Sequence, residues 1–265
     1  MYKKSTLGFL IFAFLFIIAS TVFAGDGPVF DKSGVNGGVI RIQYDTQSDA
    51  ALKVVIQKQN TAYTYDFKSG DRFPLQLGNG DYSVSVLQQA SETKYKVVVK
   101  EPVTVKLANP NDVFLQSNKM INFDDKMAAV KKAKELTKNA KTEQEKVSLL
   151  YDYITKTIVY DDKKIKTLSN NYIPVIDNVL ADGKGICYDY STLFAAMLRS
   201  LNIPTKLMMG YKKDISVYHA WNQVYLKDKG KWVTIDTTYD ATLRQNKAAV
   251  SMIKEDSQFK IEKVY

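Results

Sequence analysis

The chain is poor in the residues that usually carry catalysis: its 265 positions hold one cysteine and one histidine. A single thiol cannot close an internal bridge, so a disulfide-stapled scaffold is excluded. No cluster of arginines interleaved with aromatics reads nucleic acid, so a nucleic-acid partner is not expected. No internal repeat is present, and no stretch after the N-terminus is apolar enough to span a bilayer. The absence of cysteine near residue 25 excludes lipid anchoring through an N-terminal thiol.

The first residues have the composition of a processing segment. Lys3 and Lys4 precede an almost wholly apolar run from Leu7 to Ile18, and Val22 and Ala24 stand at −3 and −1 to a cut before Gly25. The run falls short of the roughly 20 residues a spanning helix needs. Residues 1–24 are therefore read as a secretory signal peptide, cleaved after Ala24. The mature chain is expected to be secreted or extracytoplasmic, with no stable membrane span. Loss of Lys3 and Lys4 lowers the formal net charge by two from +9. The remaining mild basicity suits wall polymers, lipid head groups or acidic proteins, and equally a solvated lysine-rich surface.

Residues 25–36, with Gly25, Gly27, Pro28, Ser33 and Gly34, read as a linker. From 37 to 107 the pattern has period two, as in Val39 to Tyr44, Leu52 to Ile56, Tyr63 to Phe67, Tyr82 to Leu87 and Tyr95 to Val99. Turn segments such as Gly78-Asn79-Gly80-Asp81 separate these runs. This spacing predicts a small all-β, sandwich-like domain.

From 108 to 265 the period becomes helical and then mixed. Asp124-Asp125 can cap a helix with Ala129, Ala133, Leu136 and Ala140 along one line. Thr142 and Glu145 form a capping box for a second helix, with Val147, Leu150, Tyr151, Ile154 and Ile158 on one face. Lysines occupy the opposite positions, either as an anion-binding face or as an ordinary solvated one. A loop is expected from Asp161 to about Ile186. A buried helix follows, marked by Tyr190, Leu193, Phe194, Met197, Leu198 and Leu201, and Pro204 ends it. Thr205 to Tyr211, Ala220 to Leu226 and Trp232 to Asp236 read as strands. One helix followed by an antiparallel sheet is an α+β core.

Cys187 falls at the predicted start of that buried helix. There the unpaired N–H groups and the helix dipole favour the thiolate, the form that attacks. Gly183 and Gly185 give the approach to the sulfur room. His219 begins one strand and Asp236 ends the next, so a hairpin can set them side by side, with the carboxylate orienting the imidazole. Each residue also has a plain structural reading: a small buried thiol, a satisfied core histidine, and a turn aspartate. Only their order on three suitable elements makes a site.

The segments GKGICYDYSTLFAAMLRSLNIPTKLMMGY, YHAWNQVY and KWVTIDTTYD resemble, in that order, the cysteine, histidine and aspartate blocks of the transglutaminase-like superfamily. The resemblance covers roughly residues 108–265, with Tyr160-Asp161 matching a position upstream of the loop. It implies a papain-like α+β fold of the bacterial secreted kind, with the cysteine helix packed on an antiparallel sheet. By carry-over, Cys187 is the nucleophile, His219 the general base and acid, and Asp236 the orienting carboxylate. The backbone N–H of Cys187 would be one oxyanion donor. Tyr160 is a candidate for the second, while Tyr188 and Trp221 are candidates for the cleft wall. Tyr188, Asp189 and Tyr218 flank the pair without an assigned role. Thr237 stands where many members have proline, and no acidic loop matches the calcium sites of animal transglutaminases. Neither cofactor nor metal is called for.

Two functions from different classes follow. One is a secreted thiol acyl-transferase acting through a thioester on amide bonds of protein or peptide, as a cysteine protease, amidase or crosslinker. Its substrate would lie outside the cell or in the cell envelope, including cell-wall stems. The other is a non-catalytic envelope-binding or scaffold protein built on the same shell.

Overall fold

The computed structural model describes residues 27–265, so the signal-peptide reading of residues 1–24 lies outside the described residues. The N-terminal part is built from seven strands: β1 (Val29–Asp31), β2 (Val39–Gln43), β3 (Leu52–Lys58), β4 (Thr61–Phe67), β5 (Arg72–Pro74), β6 (Gly80–Ser91) and β7 (Lys94–Val105). They form two antiparallel sheets, ordered β1-β2-β5 and β4-β3-β6-β7. The period-two pattern acts here directly. Ile40, Ile42, Val54, Ile56, Phe73, Val84 and Val86 are fully buried, while neighbours such as Arg41, Val55 and Ser85 are not.

Two short strands escape the sequence pattern. Val29–Asp31, read as linker, is a strand whose Val29 pairs with Gln43. Arg72–Pro74 is too short to show a period, and its proline is tolerated because β5 is an edge strand.

The second part runs α1 (Ala128–Thr137), α2 (Glu143–Thr157), β8 (Val159–Tyr160), α3 (Asp162–Ile165), α4 (Ile176–Asp182), β9 (Lys184–Gly185) and α5 (Cys187–Ser200). It continues with β10 (Thr205–Lys212), β11 (Ile215–Leu226), β12 (Lys231–Ile235), α6 (Thr237–Gln245), β13 (Ile253–Lys254) and β14 (Phe259–Val264). The antiparallel sheet is ordered β13-β12-β11-β10-β14. The fold is therefore mixed α and β with antiparallel sheets, and the helix bearing Cys187 packs against β10 and β11.

Helix α5 is hydrophobic on nearly every side because it lies inside. Tyr190, Leu193, Phe194, Met197 and Leu198 are fully buried. Each such side chain is worth about 1.5–3 kcal/mol of burial, and Phe194→Ala alone would cost about 3–5 kcal/mol. Arg199 near its C-terminal end is also buried. Its guanidinium donates to the main-chain oxygens of Thr205, Gln116 and Tyr265, tying helix, sheet and preceding loop together. The hydrophobic cluster is continuous from Ile40 and Phe73 through Leu193 and Phe194 to Ile235.

The capping chemistry is partly as the sequence indicates. Thr142 and Glu145 make the reciprocal capping box at the start of α2. Asp124 and Asp125 do not cap α1, however. The carboxylate of Asp177, on α4, accepts from the N–H groups of Ala128 and Ala129 at 2.9 and 2.8 Å. A cap supplied from 49 residues away is invisible to local pattern. Ala140 lies beyond the end of α1. The expected loop from Asp161 to Ile186 also contains α3, α4 and β9, the last of which pairs in parallel with β8.

Candidate active site

Cys187 is the first residue of α5, and its side chain is partly accessible. The turn before it is tightly built. Gly183 ends α4 with φ of 62° and donates its N–H to the Val179 carbonyl. Gly185 serves a different purpose from the open approach expected of it. A Cβ there would lie 2.6 Å from the Asp189 Cβ, so glycine lets the chain close onto that carboxylate. The β8–β9 pair sets Tyr160 opposite Gly185, two residues from the thiol.

His219 is nearly buried, at 4% exposure, on β11 opposite Gly210 of β10. It lies within the strand rather than at its start. Ile215 to Tyr218 extend β11 as a projecting hairpin arm that is mostly exposed, and so shows no burial period. Asp236 has no exposed surface, and its Oδ2 lies 2.7 Å from His219 Nε2. The other oxygen, Oδ1, accepts the N–H of Tyr239 at 3.0 Å and so caps α6. One carboxylate thus starts a helix and holds the ring. The cap fixes its orientation, which a free turn aspartate would lack. Thr237 is the first residue of α6, a position that also suits proline, so this departure leaves the helix start unchanged.

Burial of the imidazole opposes its charge. The negative charge and hydrogen bond of Asp236, with the Cys187 sulfur adding to them as an acceptor for the charged ring, outweigh that penalty and hold the His219 pKa up at about 10. The buried carboxylate beside it thus favours the charged form of the ring. Because Nε2 is engaged by Asp236, Nδ1 is the nitrogen left for the sulfur.

The three sequence-derived residues thus meet at one place. The further candidates separate. Tyr188 lines the cleft beside Cys187, and its hydroxyl is buried without a hydrogen-bond partner. Tyr160 is held near the thiol but does not border the cavity. Burial, with the charge of Cys187 adding to it, pushes its pKa up to about 12, so its hydroxyl remains a donor. Trp221 is fully buried, stacked 6.2 Å from the His219 ring and against Phe259, so it backs the imidazole instead of walling the cleft.

The cleft has a volume of about 420 Å³ and is bordered by Cys187, His219, Tyr188, Tyr218, Tyr172 and Tyr265, among others. Strand β4 also contributes to it, through Thr64, Tyr65 and Asp66. Asp189, left without a role above, supports the wall from behind. Its buried carboxylate accepts the Ile186 N–H at 2.8 Å, the Lys164 ammonium at 2.7 Å and the Tyr172 hydroxyl. It fixes the turn before Cys187 and the loop carrying Tyr172 at the same time. The only local signal was an acid three residues after Ile186, in the first turn of a helix. Among the described residues no group of three or more His, Cys, Asp or Glu side chains is placed to hold a metal ion.

Residues 130–237 match the family model described as the transglutaminase-like superfamily. The uncharacterized protein YebA of Bacillus subtilis (strain 168) is 25% identical over 192 residues, covering 61% of this chain and 26% of YebA. The chain thus spans about a quarter of the length of that relative. Among solved structures, a candidate cysteine protease from Cytophaga hutchinsonii aligns with a TM-score of 0.43 at 17% identity, covering 84% of this chain and 78% of that one. The periplasmic domain of TgpA from Pseudomonas aeruginosa aligns with a TM-score of 0.42 at 16% identity, covering 86% and 100%. Cys187, His219 and Asp236 all fall inside residues 130–237, the segment that matches the transglutaminase-like superfamily model.

Proposed function

We propose that the protein is an extracytoplasmic thiol acyl-transfer enzyme acting on amide bonds of protein or peptide. The reading rests on the buried Asp236 carboxylate 2.7 Å from a His219 ring that borders the same cleft as Cys187. A thiolate beside an imidazolium is a nucleophile and a proton donor held together. The extracytoplasmic site rests on the composition of residues 1–24. Residues 37–107 are taken as a separate β domain that borders the cleft of a catalytic domain, 108–265.

In this reading the Cys187 sulfur attacks the substrate carbonyl carbon. The developing oxyanion is stabilised by the Cys187 N–H at the start of α5 and by the Tyr160 hydroxyl. As the carbon–nitrogen bond breaks, the proton on His219 Nδ1 passes to the leaving amine, giving a thioester and a neutral ring. The ring then removes a proton from the acceptor, either water or an amine, whose attack on the thioester carbonyl releases the thiolate. Asp236 keeps the proton on Nε2 throughout and stays ionised. Water as acceptor gives a protease or amidase, and a lysine amine gives a crosslinker.

Mass spectrometry of glutamine-containing peptides incubated with the protein and an excess primary amine tests both outcomes. Amine incorporation identifies a transferase, and cleavage or deamidation identifies a hydrolase. If neither product forms across varied peptides, while the Cys187→Ala protein behaves identically, the enzymatic reading is lost.

A further inference from the structure

Every strand at the edge of a sheet leaves a row of N–H and C=O groups unpaired, and proteins normally guard such edges with lysine, proline or a cover. The four-stranded sheet has two edges, β7 and β4, and they are treated differently. Strand β7 carries Lys94, Lys96, Lys100, Glu101 and Pro102. Strand β4, Thr61-Ala62-Tyr63-Thr64-Tyr65-Asp66-Phe67, has no lysine, no proline and no glycine. Among the described residues β4 pairs with β3 alone, and nothing else hydrogen-bonds to its main chain.

That unguarded edge faces the thiol. Thr64, Tyr65 and Asp66 are consecutive, so their side chains alternate between the two faces of the sheet, yet all three border the cleft that holds Cys187 and His219. Three successive residues can line one cavity when the strand presents its edge. Burial agrees: Tyr65 is buried, whereas Thr64 and Asp66 on the opposite face are exposed.

We propose that β4 is the docking edge for the substrate, which binds as an extended polypeptide added to the sheet beside β4. The proposal rests on the thiol acyl-transfer reading and narrows its substrate class to unfolded or extended peptide chain. Main-chain hydrogen bonds to β4 would supply affinity with little demand on sequence, and alternate side chains would enter the tyrosine-lined cleft. A glycan has no regular row of amides to match this edge.

The test uses the mature chain and a hexapeptide of alternating threonine and valine, capped with an iodoacetyl group. Labelling of Cys187 is timed by mass spectrometry, with iodoacetamide as reference. A peptide that pairs with β4 should label Cys187 about tenfold to a hundredfold faster than iodoacetamide does, from a few strand-type hydrogen bonds. Because successive N–H groups of a strand point to opposite sides, N-methylation of alternate residues should remove the acceleration in one register and spare it in the other. In the Cys187→Ala protein the unreactive, acetyl-capped peptide should slow amide exchange within residues 61–67. Equal rates for peptide and iodoacetamide, or equal effects of the two N-methyl registers, would overturn the proposal while leaving an activated thiol in place. A Cys187 inert to both reagents would overturn the acyl-transfer reading and this inference with it. Acceleration by a muramyl-sugar iodoacetamide without any by the peptide would assign the cleft to glycan and reject the docking edge.

Discussion

Replacing Asp236 by asparagine removes one charge from the centre of the site while keeping its shape. The asparagine Oδ1 can still accept the Tyr239 N–H, and asparagine caps helices about as well as aspartate, so α6 should keep its start. What is lost is the charge-assisted hydrogen bond to His219 at 2.7 Å, with both partners out of solvent. Hydrogen bonds to charged groups are worth about 1.5–3 kcal/mol. At about 1.4 kcal/mol per pKa unit, the imidazolium should lose roughly one to two units. His219 is the only histidine in the chain, so its ring nitrogens give an unambiguous NMR signal in protein labelled with ¹⁵N-histidine. The wild-type ring should remain protonated through neutral pH and titrate near a pKa of about 10. In Asp236→Asn the midpoint should fall by roughly one to two units, with the folded amide spectrum retained. A wild-type ring titrating at an ordinary ~6.5, or a variant whose midpoint does not move, would refute the electrostatic account of the pair.

Three further outcomes are expected. Alkylation of Cys187 by iodoacetamide should proceed at pH 6, where an ordinary thiol of pKa ~8.5 is almost wholly protonated, and His219→Ala should slow it by about tenfold or more; equal rates at that pH would count against pairing of thiol and ring. Because the folded pKa of His219 is raised, its contribution to stability is full below the unfolded value of 6.5 and is lost as pH rises towards about 10. Urea unfolding should therefore show the advantage of wild type over Asp236→Asn shrinking across that window, and an advantage that grows would contradict the sign. Asp177→Ala should cost about 1–2 kcal/mol by leaving the Ala128 and Ala129 N–H groups of α1 without their acceptor, read as a lower urea midpoint with an unchanged slope.

The parts legible in the sequence are those governed by local pattern. The alternating runs from Val39 to Leu87 lie in strands because residues such as Ile40, Ile42, Val54, Ile56, Val84 and Val86 turn into the core, and α5 could be placed by apolar residues at helical spacing before Pro204. Thr142 with Glu145 was readable because both partners lie within one turn. The features missed depend on distance or exposure. Asp177 caps a helix far along the chain, and β14 is mostly exposed, so Phe259 to Val264 offer almost no burial period. The close approach of β14 explains Gly210, where a Cβ would meet the Lys260 carbonyl oxygen at 2.1 Å.

At the site, Cys187, His219 and Asp236 could be picked out because the first two have no rivals of their kind and the third follows at hairpin spacing. The second role of Asp236 as a helix cap could not, since α6 after Thr237 has only a short buried face. Nor could the hold of Asp189 on Lys164 and on the wall residue Tyr172, which joins a helix to a loop segment with no pattern of its own. The contribution of β4 to the cleft requires the two parts of the chain to be seen together.

Acyl transfer through a thioester requires that Cys187 become acylated. The protein should be mixed with a p-nitrophenyl ester, quenched in acid within seconds and analysed by peptide mass spectrometry. One acyl group per chain is expected, carried by Cys187, absent from Cys187→Ser at that residue under the same conditions, and lost when a primary amine or a longer incubation in water is allowed. An unmodified Cys187, or acyl groups scattered over surface lysines with none on the thiol, would contradict it.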